Sequence, residues 1–353
     1  MSNRIVETRT VRTFGPPRRG RSWYLNISLL AALLVVAVAL PYLGVSSFVV
    51  TLTTTILIAA TLASSVNFLA GPGGMVSLGH AGIAAAAAYG AGWASKQGFD
   101  PGTQALVALV LTVLVSLIYG LLSMRTSGIY FLMVTLAVGM VIYGLAYRLS
   151  SVTRGENGIT GIKRPELLAE PWAFYLFVVA AFLVVTVGLL VVSRSPFGAS
   201  LRGIRDSESR MRSLGYYVPA FKLGAFMISG TVASFAGLLS VWHTHFVSPS
   251  SAEVHRSVLL FVMVILGGLG TTMGPLVGAA IVVLVENVVS NSFERWPTLL
   301  GVIFILAILF ARSGLVGSAA KLLERWRKRS DAGRTPADSA STDATVSGSI
   351  PSA

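Results

Sequence analysis

The chain has 353 residues, of which 54% are hydrophobic and 12% charged, with a net charge of +13. Soluble domains carry about a quarter charged residues, so a surface this poor in charge excludes an ordinary water-soluble domain. The sequence has no cysteine, which excludes disulfides, thiolate metal sites and cysteine nucleophiles.

A helix crossing the hydrocarbon needs roughly 20 apolar residues. In chain order, ten segments qualify or nearly qualify: 25–43, 48–70, 78–95, 104–123, 129–147, 172–192, 221–243, 257–269, 275–290 and 297–311. The last three are short, and the eighth and ninth can also form a broken or re-entrant pair. The first run is too long for a signal-peptide core and lacks a small-x-small cleavage site, so it reads as a retained span. The fold class is therefore all-α: a polytopic membrane protein of about ten transmembrane helices.

An even number of spans puts both termini on one side. With the termini inside, 20 of the 27 Lys and Arg residues fall in inner segments. The positive-inside rule then makes both ends cytoplasmic. Basic residues lying beside apolar spans argue for topology rather than nucleic-acid binding. The chain divides into a basic segment 1–24, a transmembrane region 25–312 and a cytoplasmic tail 313–353. Beyond about residue 330 the tail is Ser-, Ala-, Asp- and Thr-rich, which predicts disorder.

Three stretches differ from generic membrane helix. The first runs Gly71-Pro72-Gly73-Gly74-Met75-Val76-Ser77-Leu78-Gly79-His80. It is either a turn between spans two and three or a broken helix beside a solute path, since irregular backbone at membrane depth must line protein or a wet cavity. His80 can titrate, or pack as a hydrogen-bonding residue.

The second stretch, Gly267-Gly268-Leu269-Gly270-Thr271-Thr272-Met273-Gly274-Pro275, has the same character and leaves the same two alternatives. Neither is a phosphate loop, because the chain has no Gly-Lys dipeptide.

The third is the inner loop 193–222. Phe197, Leu201, Ile204, Met211 and Leu214 fall near one helical face. Arg202, Arg205, Asp206, Ser209 and Arg212 populate the rest, and Gly215 is a helix stop. This predicts a short amphipathic helix, lying either on anionic lipid headgroups or with its apolar stripe in a groove of a partner.

Glu286 is the only carboxylate inside a span, which makes it a functional candidate. Near the outer end it can also reach water or pair with Arg295. The loop 150–171 holds Asn157-Gly158-Ile159-Thr160-Gly161-Ile162, either a gate or partner surface or a solvated loop.

These segments together resemble the branched-chain amino acid ABC transporter permease family, in particular its M-type subunit. The resemblance covers about residues 63–316. It rests on Gly73-Gly74-Met75-Val76-Ser77-Leu78-Gly79-His80-Ala81, on Asn157-Gly158-Ile159-Thr160-Gly161-Ile162, and on Ser195-Pro196-Phe197-Gly198 with Ile204-Arg205-Asp206-Ser207-Glu208. It rests further on Val264-Ile265-Leu266-Gly267-Gly268-Leu269-Gly270-Thr271 with Gly274-Pro275, and on Phe310-Ala311-Arg312-Ser313-Gly314-Leu315-Val316-Gly317. The ten-span pattern, with its large inner loop between spans six and seven, is similar to the cobalamin and ribose importer permeases.

The resemblance implies a multi-pass subunit of the bacterial inner membrane with no catalytic activity and no cofactor of its own. ATP would be bound by two cytoplasmic ATPase subunits. A second permease subunit, in a heterodimer, and an extracytoplasmic solute-binding protein would complete the importer, with membrane lipid around it. The loop 193–222 would couple it to the ATPases through Leu201, Ile204, Arg205, Asp206, Glu208, Met211 and Gly215. Gly215 matches the glycine of the permease-wide loop motif, whereas Ser209, Arg210 and Met211 replace its small residues. Gly73, Gly74, Ser77, Gly79, His80, Gly267, Gly268, Gly270, Gly274 and Pro275 would form path or hinge. Alternative solutes are urea and short amides, and a proton-coupled carrier using Glu286 and His80 is the alternative of another class.

Overall fold

The computed structural model of the chain describes residues 46–290, 296–310 and 314–318. The segment 1–24, the span 25–43, Arg295 and most of the tail lie outside the described residues. Each of the other nine sequence-predicted spans holds a helix among the described residues. They are α1 (Ser47–Ala70), α2 (His80–Lys96), α3 (Pro101–Ser123), α4 (Ile129–Arg148), α5 (Pro171–Arg194), α8 (Val218–Thr244), α9 (Val254–Gly267), α10 (Gly274–Leu284) and α11 (Trp296–Phe310). Between α5 and α8 lie α6 (Pro196–Asp206) and α7 (Glu208–Ser213).

Five of these, α1, α3, α4, α5 and α8, are long and apolar enough to cross a membrane. At 14 residues α9 is about 21 Å long, short of the ~30 Å hydrocarbon core. α9 and α10 form an antiparallel hairpin. A Cβ on Gly278 would overlap the Met263 carbonyl, and one on Gly267 the Gly274 carbonyl. The two backbones therefore touch, which only glycine permits.

Local sequence explains the helix starts. Asp100 accepts hydrogen bonds from the amides of Gly102 and Thr103, with Pro101 in the first turn of α3. Ser195 caps α6 in the same way ahead of Pro196. In α1 the hydroxyls of Thr54, Thr61 and Ser64 donate to carbonyls four residues back, which satisfies them inside an apolar helix.

α2 is the most enclosed helix: its run Ala84–Ala88 is buried throughout. Small side chains there let α8 approach so closely that a Cβ on Gly237 would overlap the Ala84 carbonyl. α3, α4 and α5 lie outside and expose large apolar residues such as Leu114, Ile118, Met133, Val141 and Val184. In a water-soluble protein such a surface would aggregate; on a membrane helix it meets lipid or another apolar subunit.

At one end, strand β1 (Ile159–Thr160) pairs antiparallel with β2 (Phe246–Val247). Ile159 and Ile162 are buried, and His245 Nδ1 lies 2.8 Å from the Ile162 carbonyl. The Asn157–Ile162 stretch is thus pinned across the end of α8 rather than free in solvent.

Candidate functional site: the clasp at the basic end

The two glycine-rich stretches, far apart in sequence, meet at the end of the bundle that carries α6 and α7. Residues 71–79 are non-helical, and α1, α3, α4 and α6 each contribute a hydrogen bond to holding them. The link is Asn67, at the end of α1. Its Oδ1 accepts from the Gly270 amide at 2.7 Å and its Nδ2 donates to the Thr271 carbonyl at 2.9 Å. One side-chain amide thereby occupies a donor and an acceptor of the second stretch while its own backbone begins the first. A Cβ on Gly71 would crowd Gly270 at 2.7 Å. Gly314, from the motif near the end of the chain, packs on Gly268, where a Cβ would overlap backbone.

α6 is tied to the same place. Arg205 donates from Nη1 to the Gly71 carbonyl at 2.8 Å and makes a 3.3 Å pair with Asp206. Its aliphatic stem fills the space where a Gly74 Cβ would stand, and Gly74 has φ +64°. No side chain would fit there in that backbone conformation. A cavity of about 300 Å³ opens between Asn67, Gly71, Thr271, Thr186, Arg202 and Arg205.

The inner loop differs from its expected form in two respects. It is not one helix but two, broken at Ser207, whose extended backbone (φ −164°, ψ 100°) allows its hydroxyl to cap α7. Most of its apolar stripe is also turned into this chain rather than offered to a partner. Leu201 and Ile204 are buried within this chain, and Leu201 joins Phe68, Leu69, Met75 and Phe226 in one core cluster. Met211 packs on Gly203. The surface left for a partner holds Arg205, Asp206, Ser209, Arg210 and Arg212, with Leu214, the exposed member of the stripe, and Gly215 and Tyr217.

Glu208 fixes this loop to the bundle. It pairs with Arg212 at 2.6 Å and with the buried Lys222 of α8 at 2.8 Å. Burial pushes the Glu208 carboxyl up, but Lys222 and Arg212 together outweigh it and hold the group below its ordinary value of 4.5. A carboxyl depressed in the fold stabilises it above the ordinary value, and that contribution fades as pH falls through the depressed one. The melting-temperature gap between wild type and Glu208→Gln in detergent is therefore expected to be full at pH 7 and to shrink progressively as pH falls below the ordinary value of 4.5. A gap that widens on acidification would contradict the pairing.

Deeper in the bundle, His80 is enclosed by hydroxyls. Its Nε2 lies 2.7 Å from Ser229 Oγ and its Nδ1 3.0 Å from Ser77 Oγ. Ser229 donates to the Ser65 carbonyl, so it accepts from His80 Nε2–H, and Ser77 donates to Nδ1. One neutral imidazole thus satisfies both contacts. The chain of bonds ties α1, α2 and α8 together. The Gly79 carbonyl accepts from Tyr119 of α3, and the Leu78 amide donates to Thr135 of α4. The first stretch is accordingly a non-helical segment buried in protein, which satisfies the requirement for irregular backbone inside a membrane. Of the residues expected from sequence, Gly73, Gly74, Ser77 and Gly79 belong to this segment and His80 opens α2; Gly268 and Gly270 lie in the facing turn, with Gly267 ending α9 and Gly274 and Pro275 opening α10. Asn67, Ser229 and Tyr119 were not picked.

At the opposite end Glu286 pairs with Arg256 at 3.2 Å; Arg295, the partner considered from sequence, lies outside the described residues. Glu286 stands in a π-helical turn, Val285–Val289, that continues α10.

Residues 47–312 match the family model described as branched-chain amino acid transport system, permease component. The high-affinity branched-chain amino acid transport system permease protein LivM of Escherichia coli K12 is 29% identical over 316 residues, covering 81% of this chain and 74% of that one. A probable LivM of Methanocaldococcus jannaschii is 25% identical over 233 residues, covering 60% and 66%. A solved structure of an inward-facing metal-chelate type ABC transporter covers 84% of this chain and 99% of its own, at 19% identity and TM-score 0.44, too distant to inform the architecture. The chain belongs to the family of branched-chain amino acid transport permease components: it is a multi-pass inner-membrane permease subunit of an ABC importer.

Proposed function

We propose that the chain carries branched-chain or related amino acids, delivered by an extracytoplasmic solute-binding protein, through a path it forms as one half of a permease heterodimer. It is a non-catalytic subunit; ATP is bound and hydrolysed by two cytoplasmic partners. The transmembrane unit is 25–312, the basic end is cytoplasmic, and the basic terminal segments rest on anionic lipid. The substrate class comes from the relatives named above.

The observation that carries the coupling role is the bond from Arg205 to the Gly71 carbonyl. A push on the exposed face of α6 and α7 reaches, through Arg205, the segment that Asn67 clasps to the α9–α10 turn. The contact face includes Arg205, Asp206 and Gly215, with Leu201, Ile204, Glu208 and Met211 setting its position from beneath. Alternating access follows if the ATP-bound and free partners prefer different positions of this loop, since only differential contacts shift such an equilibrium.

The test is a combined Arg205→Ala, Asp206→Ala variant in the assembled transporter. Amino acid uptake is expected to fall about tenfold or more while the amount in the membrane is unchanged. Wild-type uptake would reject the coupling role. Uptake that persists without ATP but stops on collapse of the proton gradient would reject the ABC mechanism itself.

A further inference from the structure

On the far side of the bundle from the clasp, a second cavity of about 360 Å³ opens between α1, α2, α8, α9 and α10. That volume is in the range, roughly 300–1,000 Å³, of sites that hold small molecules. Its walls are uneven in chemistry. One side is apolar, with Ile58, Leu62, Leu260, Met263 and Val283, and the alanine face of α2 leaves the room. The mouth is polar and holds two opposite charges, Arg256 and Glu286.

We infer that this cavity is a subsite for a zwitterionic α-amino acid: Arg256 takes the carboxylate, Glu286 the ammonium, and the aliphatic side chain lies against the apolar wall. The inference rests on the amino acid reading proposed above and adds where in this chain the solute is held.

Three features support it. First, the ion pair is a single contact of 3.2 Å, with Arg256 about half exposed and Glu286 about a quarter. It lacks the bidentate geometry that makes such pairs rigid. Second, exchange is balanced. In the empty cavity the two charges neutralise each other; an incoming zwitterion supplies one charge of each sign, so none is left unpaired at any stage. An amine or a carboxylic acid alone would strand one partner, which is costly away from water. Third, Glu286 stands in the π turn, a local departure from α-helix that often places a functional side chain. A carboxylate inside an apolar span needs a reason to be there, and a pair open to exchange supplies one.

The chain has no cysteine of its own, so a single introduced thiol reports on the cavity. In the assembled transporter carrying Ser240→Cys, at the cavity wall, L-leucine is expected to slow modification of that thiol by a small methanethiosulfonate about fivefold or more. Isoamylamine, which lacks the carboxylate, is expected to leave the rate unchanged. In ATP-loaded proteoliposomes, Arg256→Gln and Glu286→Gln are each expected to cut leucine uptake about tenfold. The swap Arg256→Glu with Glu286→Arg restores an ion pair but reverses the charges, and it is expected to remain defective. Recovery of uptake in the swap, or equal labelling with and without leucine, would show a purely structural pair and overturn the subsite. A wild-type transporter that moves other solutes but no amino acid would overturn the substrate reading and the subsite with it; transport by wild type and both single variants alike would overturn the subsite alone.

Discussion

Replacing Gly278 by alanine is expected to prevent the α9–α10 hairpin from closing. The added Cβ would overlap the Met263 carbonyl, and neither atom belongs to a flexible side chain that can turn away. Relief requires the two helices to separate, which also undoes the contact of Gly267 with Gly274 four residues further along each helix. Overpacking of this kind costs about 3 kcal/mol or more. The expected result is little folded protein in the membrane, or a melting temperature lower by roughly 5–15 °C in detergent. Gly188→Ala in α5 is the control. No atom lies within 4 Å of its added Cβ, and alanine favours helix by about 1 kcal/mol over glycine. That variant is expected to be as stable as wild type or slightly more so. Equal behaviour of the two variants would show that helix propensity, not backbone contact, governs both.

Asn67→Leu should produce the second large effect. Leucine fills nearly the same space but leaves the Gly270 amide and the Thr271 carbonyl without partners. Gly270 is exposed and Thr271 half-buried, so water replaces part of what is lost and each loss costs about 1 kcal/mol, the low end of the range for an unmade hydrogen bond; melting should fall by roughly 3–8 °C. If the clasp transmits motion as proposed, uptake should fall further than the loss of folded protein explains. Asn67→Asp gives the finer result. At neutral pH its carboxylate still accepts from Gly270 but faces the Thr271 carbonyl with no proton to donate. Once protonated it can donate there, so this variant should regain stability on mild acidification whereas Asn67→Leu should not. Wild-type melting in Asn67→Leu would remove the clasp from the account.

Both effects depend on contacts that the sequence shows unequally. The glycine-rich stretches stand out because glycine is rare inside helices that have no need of close approach, and their positions between apolar runs marked them as joins. The sequence did not show that they meet. Asn67 is one polar residue in an apolar run, and its partners lie over 200 residues away. Periodicity correctly found that Leu201 and Ile204 share a buried face, but periodicity cannot tell a neighbouring span from a partner protein. The break at Ser207 had a readable sign: a serine before an acidic residue is a helix-start signal. Glu286 was legible as a charge needing company; Arg256 was not legible as its companion, because it stands 30 residues away on another helix.

α8 joins the features described at both ends and in the middle. Near its start Lys222 holds Glu208, at its centre Ser229 meets His80, and just past its end β2 pins the outer loop. Its 27 residues make a rod about 40 Å long, with the histidine contact close to the midpoint. Such a rod works as a lever with a fulcrum. A tilt of about 5° around Ser229 would carry its two tips about 1.7 Å in opposite directions, so a small displacement delivered at the cytoplasmic tip would arrive at the outer surface reversed in sign and undiminished in size.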